Sequence, residues 1–171
     1  MTDCVAAPDA ALIDAFKNAM RRQASTVTII TARDGSGRHG MAATAVSSVS
    51  TTPPSLLICV NKSASLHGPI GSSGAFCINL LSCDHHALVP LFSGKLKGDE
   101  RFRNGDWAET ETGMPYLRDA QASIFCKVAQ TVPYGSHSIF IGTVEDIQLY
   151  GEAAPLLYQE GSLFRSHSLA C

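Results

Sequence analysis

The sequence predicts a mainly β protein with a few short helices, folded as an antiparallel barrel. Runs rich in β-branched residues, such as "STVTIITAR" and "HSIFIGTVEDIQLY", are short and lie close together. Turn signals such as "DGSG" and Thr51–Pro54 separate adjacent runs. Strands grouped in this way favour an antiparallel barrel over a doubly wound sheet, which interleaves strands with helices.

The elements follow in order. In "PDAALIDAFKNAMRR" the apolar Leu12, Ile13, Phe16 and Met20 recur at helical spacing. Asp9 suits the cap of this helix, and Arg21 and Arg22 suit the negative end of its dipole. "STVTIITAR" then reads as a strand leading into the "DGSG" hairpin, and "GMAATAVSSVS" and "SLLICVN" as two more strands around the Thr51–Pro54 turn. "SLHGPIGSSG" reads as a short helical turn ending in glycine, "AFCINLL" as a buried strand, and "SCDHHALVPLFSG" as helix opened by Ser82 and shortened by Pro90. The charged "KLKGDERFRNGDW" is expected to be a loop. "AQASIFCKVAQTV", "HSIFIGTVEDIQLY" and "PLLYQEG" complete a count of about seven strands and three helical pieces.

A chain of 171 residues is expected to form a single domain over 1–171, with its core at about 12–160. Hydrophobic residues make up 45% and charged residues only 16%, which argues against disorder and suggests that a partner chain covers part of the exterior. A net charge of -2 offers no basic face for nucleic acid or an anionic membrane, so neither partner is expected. The six cysteines, at 4, 59, 77, 83, 126 and 171, form no C-x-x-C pair and read as reduced thiols. The opening "MTDCVAAPDA" places Asp3 where a signal peptide needs positive charge, so the expected compartment is the cytoplasm.

Two motifs fail on context. "GSGRHG" at 35–40 matches G-x-G-x-x-G, but a strand follows it where a dinucleotide fingerprint needs a helix. Nor does any Asp or Glu occur between Asp34 and Asp84 to bind a ribose. In "CDHH", Cys83 and His86 have the spacing of two metal ligands, too few for a zinc site, so exposed helix polarity is the preferred reading. No nucleophile elbow and no phosphate-binding P-loop occurs.

What remains is "GMAATAVSSVSTTPPSLLICVNKSAS", Gly40–Ser65, which meets no charge before Lys62 yet carries seven Ser and Thr and the pair Pro53-Pro54 before Asn61. It is too polar to span a bilayer. Small and hydroxyl side chains on strands would let a flat, polar-edged ligand approach the backbone. Together with "FKNAMRRQASTVTIITA", "SGAFCINLL", "ERF", "GSHSIFIGTV" and "PLLY", in order and at matching spacing from about Phe16 to Tyr158, it resembles the flavin reductase family of FMN-binding split β-barrels.

The resemblance implies a split barrel, a homodimer, and an NAD(P)H:flavin oxidoreductase using FMN, with FAD as the less favoured flavin and NADH or NADPH as hydride donor. Carried over by position, Thr44, Ala45, Val46, Ser47 and Ser50 would line the ring and ribityl chain. Cys59, Val60, Asn61, Lys62, Ser63 and Ser65 would form the phosphate end, with Lys62 supplying charge. His137, in "GSHSIFIG", would lie near the nicotinamide and the flavin face. The electrons would pass to a partner monooxygenase or to a small-molecule acceptor such as a cobalt(II) corrinoid or a ferric complex. Two other classes are carried beside this one: a non-catalytic flavin-binding module, and a metal-binding protein using Cys83 and His86.

Overall fold

Asp9 caps helix α1 (Ala10–Arg21) as expected, its carboxylate accepting the Ala11 N–H at 3.2 Å. The computed structural model describes residues 9–169. Cys4, Cys171 and the opening segment that bears on a leader lie outside them.

Twelve strands follow from the β-branched runs: β1 (Ser25–Thr26), β2 (Thr28–Asp34), β3 (Gly37–Ala43), β4 (Val46–Thr51), β5 (Pro54–Asn61), β6 (Ala75–Leu80), β7 (Trp107–Glu109), β8 (Pro115–Leu117), β9 (Ala122–Tyr134), β10 (His137–Leu149), β11 (Leu156–Gln159) and β12 (Ser162–Arg165). Seven of them make one antiparallel sheet in the order β3-β2-β6-β9-β10-β5-β4. The count exceeds the seven expected because "GMAATAVSSVS" supplies two strands and because the short β1, β7, β8 and β12 were not anticipated; β1, β11 and β12 form one small sheet and β7 and β8 another, outside the main one.

"GMAATAVSSVS" is not one strand. It breaks at Thr44 and Ala45, and its halves, β3 and β4, form opposite edges of the seven-stranded sheet. The two edges are not hydrogen-bonded to each other but are tied through these two residues, with Ala45 O accepting the Cys59 N–H at 3.1 Å. The result is an antiparallel barrel split at one seam, in agreement with the predicted fold class.

Two apolar clusters hold the sheet. Ile30, Ile58, Val60, Phe76, Ile78 and Phe140 fill the inside of the barrel. Ile29, Leu81, Phe92, Phe102 and Leu117 pack on its outer face, beneath the segments that follow β6. Fully burying one such side chain stabilises the fold by about 1.5–3 kcal/mol. The first half of β9 is therefore buried on both faces, its Phe125 meeting Tyr116 of β8 edge-on at 5.4 Å, which hides the simple alternation expected there. Gly142 of β10 sits against Phe76 and Cys126, where an added Cβ would come within 2.6 and 2.9 Å.

Helix α2 (His67–Ser73) ends at the left-handed Gly74, as the sequence suggests. "SCDHHALVPLFSG" forms a 3-10 helix over Cys83–Leu88 and an irregular turn over Leu91–Lys95. The charged stretch expected to be a loop contains a further 3-10 helix, Gly98–Arg103, with Arg101 and Phe102 buried. An aromatic cluster explains the difference: Phe92, Phe102 and Trp107 meet at centroid distances of 5.0–5.3 Å and hold the segment against the outer face. No helix among the described residues is long and apolar enough to cross a membrane.

Candidate functional site at the barrel seam

Because β3 is an edge strand that ends in the small residues Ala42 and Ala43, it leaves open space beside it. A cleft of about 220 Å³ is lined by Val27, Ala42, Ala43, Thr44, Ser93 and Tyr158, among others. A second, of about 330 Å³, shares Thr44 and Tyr158 and reaches Phe16 and Met20 on α1. Together they make a continuous groove from the outer edge of the barrel, past the seam, to the apolar side of α1. Ala42, Ala43 and Thr44 keep its β3 wall shallow enough for a flat ring to lie against backbone. Such a shallow wall of small residues is compatible with a flat ring such as that of a flavin.

The residues singled out in the sequence divide into groups. Thr44 and Ala45 are exposed at the seam, and Ser47 is exposed on β4. Val46 packs against the barrel core and Val60 is completely buried in it, so neither presents its side chain to the groove. β4 runs antiparallel to β5, pairing Val46 with Ile58 and Ser50 with Ser55. That register puts Ser50 at the far end of β4 from Thr44, where its hydroxyl accepts the Thr52 N–H at 3.0 Å and shapes the turn. Cys59 is half-buried on the face opposite Ile58 and Val60.

Beyond β5 the chain turns on Asn61, whose side-chain oxygen accepts from both the N–H and the hydroxyl of Ser63, at 2.9 and 2.8 Å. The β9–β10 turn lies alongside: His137 pairs with Asn61, and Lys62 N–H donates to Ser136 O at 2.9 Å. The Lys62 ammonium donates to Gly135 O at 2.8 Å, so it leans on this turn. His137 is exposed, with Nδ1 2.9 Å from Ser136 Oγ. Asn61, Lys62 and His137 are thus brought together.

Ser65 is brought next to a different cation. Arg101 Nη1 lies 3.5 Å from Ser65 Oγ and also donates to Gly40 O on β3, while Nε donates to Leu96 O at 2.7 Å. The residue is only 8% exposed, and burial alone lowers its pKa from the ordinary arginine value. Sequence reading passed over Arg101 because a charged run looks solvated. The signal available was the Phe beside it in "ERF", which anchors the segment.

The rejected metal pair stays apart from any such centre. His86 is exposed with Nδ1 3.1 Å from Cys83 O, and Cys83 Sγ lies 3.6 Å from Pro155 O. Its neighbour His85 is instead buried, taking the Ser82 N–H on Nδ1 at 3.1 Å and holding Nε2 3.2 Å from Asp119 Oδ1. Among the described residues no three metal-ligating side chains gather.

Comparison with known proteins adds independent evidence. A reductase component of an FADH(2)-dependent resorcinol hydroxylase from Rhizobium sp. (strain MTP-10005) is 45% identical over 146 residues, covering 84% of this chain and 82% of that one. FMN reductase (NADH) RutF of Agrobacterium fabrum is 42% identical over 143 residues, again 84% of this chain and 82% of the relative. Among solved structures, flavin reductase PheA2 in its native state aligns with a TM-score of 0.81 and 34% identity, over 94% of this chain and 100% of its own. The model of the family described as "Flavin reductase like domain" matches residues 20–167, and with these relatives it establishes that the chain belongs to that family.

Proposed function

We propose that this chain is an NADH-dependent flavin reductase whose flavin lies in the groove at the barrel seam and whose reducing power serves a partner monooxygenase. The observation that carries the reading is the groove itself, walled by Ala42, Ala43 and Thr44 where the sheet is split. The names of the relatives support the reaction, one as FMN reductase (NADH) and one as the reductase component of a hydroxylase. The second name also supports a monooxygenase as acceptor in preference to a corrinoid or a ferric complex.

Thr44, Ala45 and Ser47 would hold the flavin ring through backbone groups and short side chains, and Asn61, Ser63 and Ser65 would bind the polar end. The chemistry a bound flavin supplies is two-electron: acceptance of hydride from reduced nicotinamide and its release to an acceptor. The chain's own part is to align the two rings and keep water from between them. His137, exposed beside Asn61, would orient the nicotinamide. No described side chain in the groove is required to donate or accept a proton.

A homodimer is part of the proposal. Leu12, Phe16 and Met20 are exposed by 63%, 63% and 48%, so α1 turns an apolar side outward that none of the described residues covers. The groove runs up to that side, so a second copy seated there would complete its wall. The cytoplasm suits a chain that carries Cys59, Cys77, Cys83 and Cys126 as free thiols.

The test is anaerobic. Purified protein is supplied with FMN, NADH is added, and the visible flavin band is followed. Rapid bleaching establishes the reductase. Bound flavin that keeps its colour would make the chain a flavin-binding module, and failure to bind FMN or FAD would refute the reading.

A further inference from the structure

The β11–β12 turn carries a side chain that its backbone does not favour. Gln159 pairs with Ser162, so Glu160 and Gly161 make a two-residue loop, with φ of 49° and 82°. A turn with both central residues in the left-handed region favours Asn-Gly, and a glutamate there is uncommon. Nor does the turn use the carboxylate to hold α1. It docks through the Glu160 N–H, which donates to Arg21 O at 2.9 Å, and through Gln159 Nε2, which donates to Arg22 O at 2.7 Å.

The surroundings of this carboxylate are cationic. Glu160 lines a cleft of about 360 Å³ with Asn18, Arg21 and Arg22. Among the described residues no carboxylate lies within 4 Å of either arginine, so two guanidinium groups border this space against one carboxylate, a surplus of one positive charge. The helix end does not oppose an anion here, because the carbonyls of Arg21 and Arg22 are taken by Glu160 and Gln159. Arg21 also lines the cleft that holds Phe16, Thr44 and Tyr158, and Glu160 follows Tyr158 by two residues, about 7 Å along the strand. The groove at the barrel seam therefore continues around the end of α1 into the cationic cleft.

We propose that this end of the groove holds the adenylate half of the nicotinamide donor and selects NADH over NADPH: Arg21 and Arg22 take the pyrophosphate, and Glu160 accepts the 2′-hydroxyl of the adenosine ribose. The proposal rests on the flavin reductase reading above. With the nicotinamide stacked on a flavin at the seam, the rest of the donor has to leave along the groove. One guanidinium then serves each phosphate of the pyrophosphate, and a 2′-phosphate would meet only Glu160, which repels it. A carboxylate on the ribose 2′-hydroxyl makes the same distinction in dinucleotide-binding folds, and it is reached here without their glycine motif.

Calorimetric titration of the flavin-loaded protein with ADP-ribose and with ADP-ribose 2′-phosphate reads the site without turnover, and kcat/KM for NADH and NADPH reads it in the reaction. The wild type is expected to prefer ADP-ribose and NADH by on the order of ten- to a hundredfold. E160Q should cut that preference about tenfold, chiefly through tighter binding of the 2′-phosphate forms, and R21Q should weaken both forms of ADP-ribose together by about tenfold. E160N separates the carboxylate from the turn, since asparagine suits a left-handed backbone: it should lose the preference as E160Q does and keep or raise the melting temperature. An unchanged preference in both E160Q and E160N would reduce Glu160 to a turn residue and overturn the assignment. A wild type that prefers the 2′-phosphate forms would overturn it too, as would one that binds neither form of ADP-ribose while NADH still reduces its flavin. A flavin-loaded wild type that neither NADH nor NADPH reduces would refute the reductase reading, and the assignment would fall with it.

Discussion

Asn79 shows how much one polar side chain can hold. It is completely buried in β6, donates to Ile29 O at 2.9 Å, and accepts from Leu117 N–H at 2.7 Å and Ser123 hydroxyl at 3.2 Å. It thereby ties β2, β8 and β9 to one point. Asn79→Ala should cost about 2–4 kcal/mol, since it strands several buried partners at once, and a urea midpoint measurement would show the loss. His137 is the opposite case, exposed and packed on little. His137→Ala should raise the KM for NADH about fivefold to tenfold and leave the thermal midpoint in place; unchanged hydride-transfer kinetics would remove it from the site. Neither role was fully legible from the residues. "AFCINLL" reads simply as a buried strand, and His137 stood out only through the resemblance of its surrounding motif. Arg101 was hidden for a physical reason: charge predicts solvation, and only the aromatic cluster around Phe102 reverses that here.

At the scale of elements, periodicity made α1 readable, and turn residues made the β2–β3 hairpin and the Gly74 helix end readable, because each has a local cause. The break at Thr44 and Ala45 was not readable. Small residues carry no period, and what divides β3 from β4 is the position of two sheet edges, a property of the whole barrel. The ammonium of Lys62, expected at the phosphate end, rests on Gly135 O, a contact set by the register of β10 on β5 and equally invisible in the local sequence. β10 also carries a tight contact at Gly142, beside the register shift between Ile141 and Gly142. Gly142→Ala should destabilise by about 1–3 kcal/mol, because Phe76 and Cys126 are both core groups with nowhere to move. A lowered melting temperature with the strand content preserved is the expected circular dichroism result.

At the scale of the molecule, low charge and an uncovered α1 belong together. Phe16→Glu places a carboxylate in the middle of the apolar side and should shift a homodimer toward monomer, as sedimentation velocity would show. If the second copy completes the groove, flavin affinity should fall with it. The order β3-β2-β6-β9-β10-β5-β4 carries one more consequence, for the order of events during synthesis. β4 and β5 are hydrogen-bonded to the rest of the main sheet only through β10, which pairs His137 with Asn61 and Thr143 with Ser55. A nascent chain therefore keeps Leu56, Ile58 and Val60 waiting for a strand translated far later, and the hairpin that bears half the seam is the last part of the ring to be fastened.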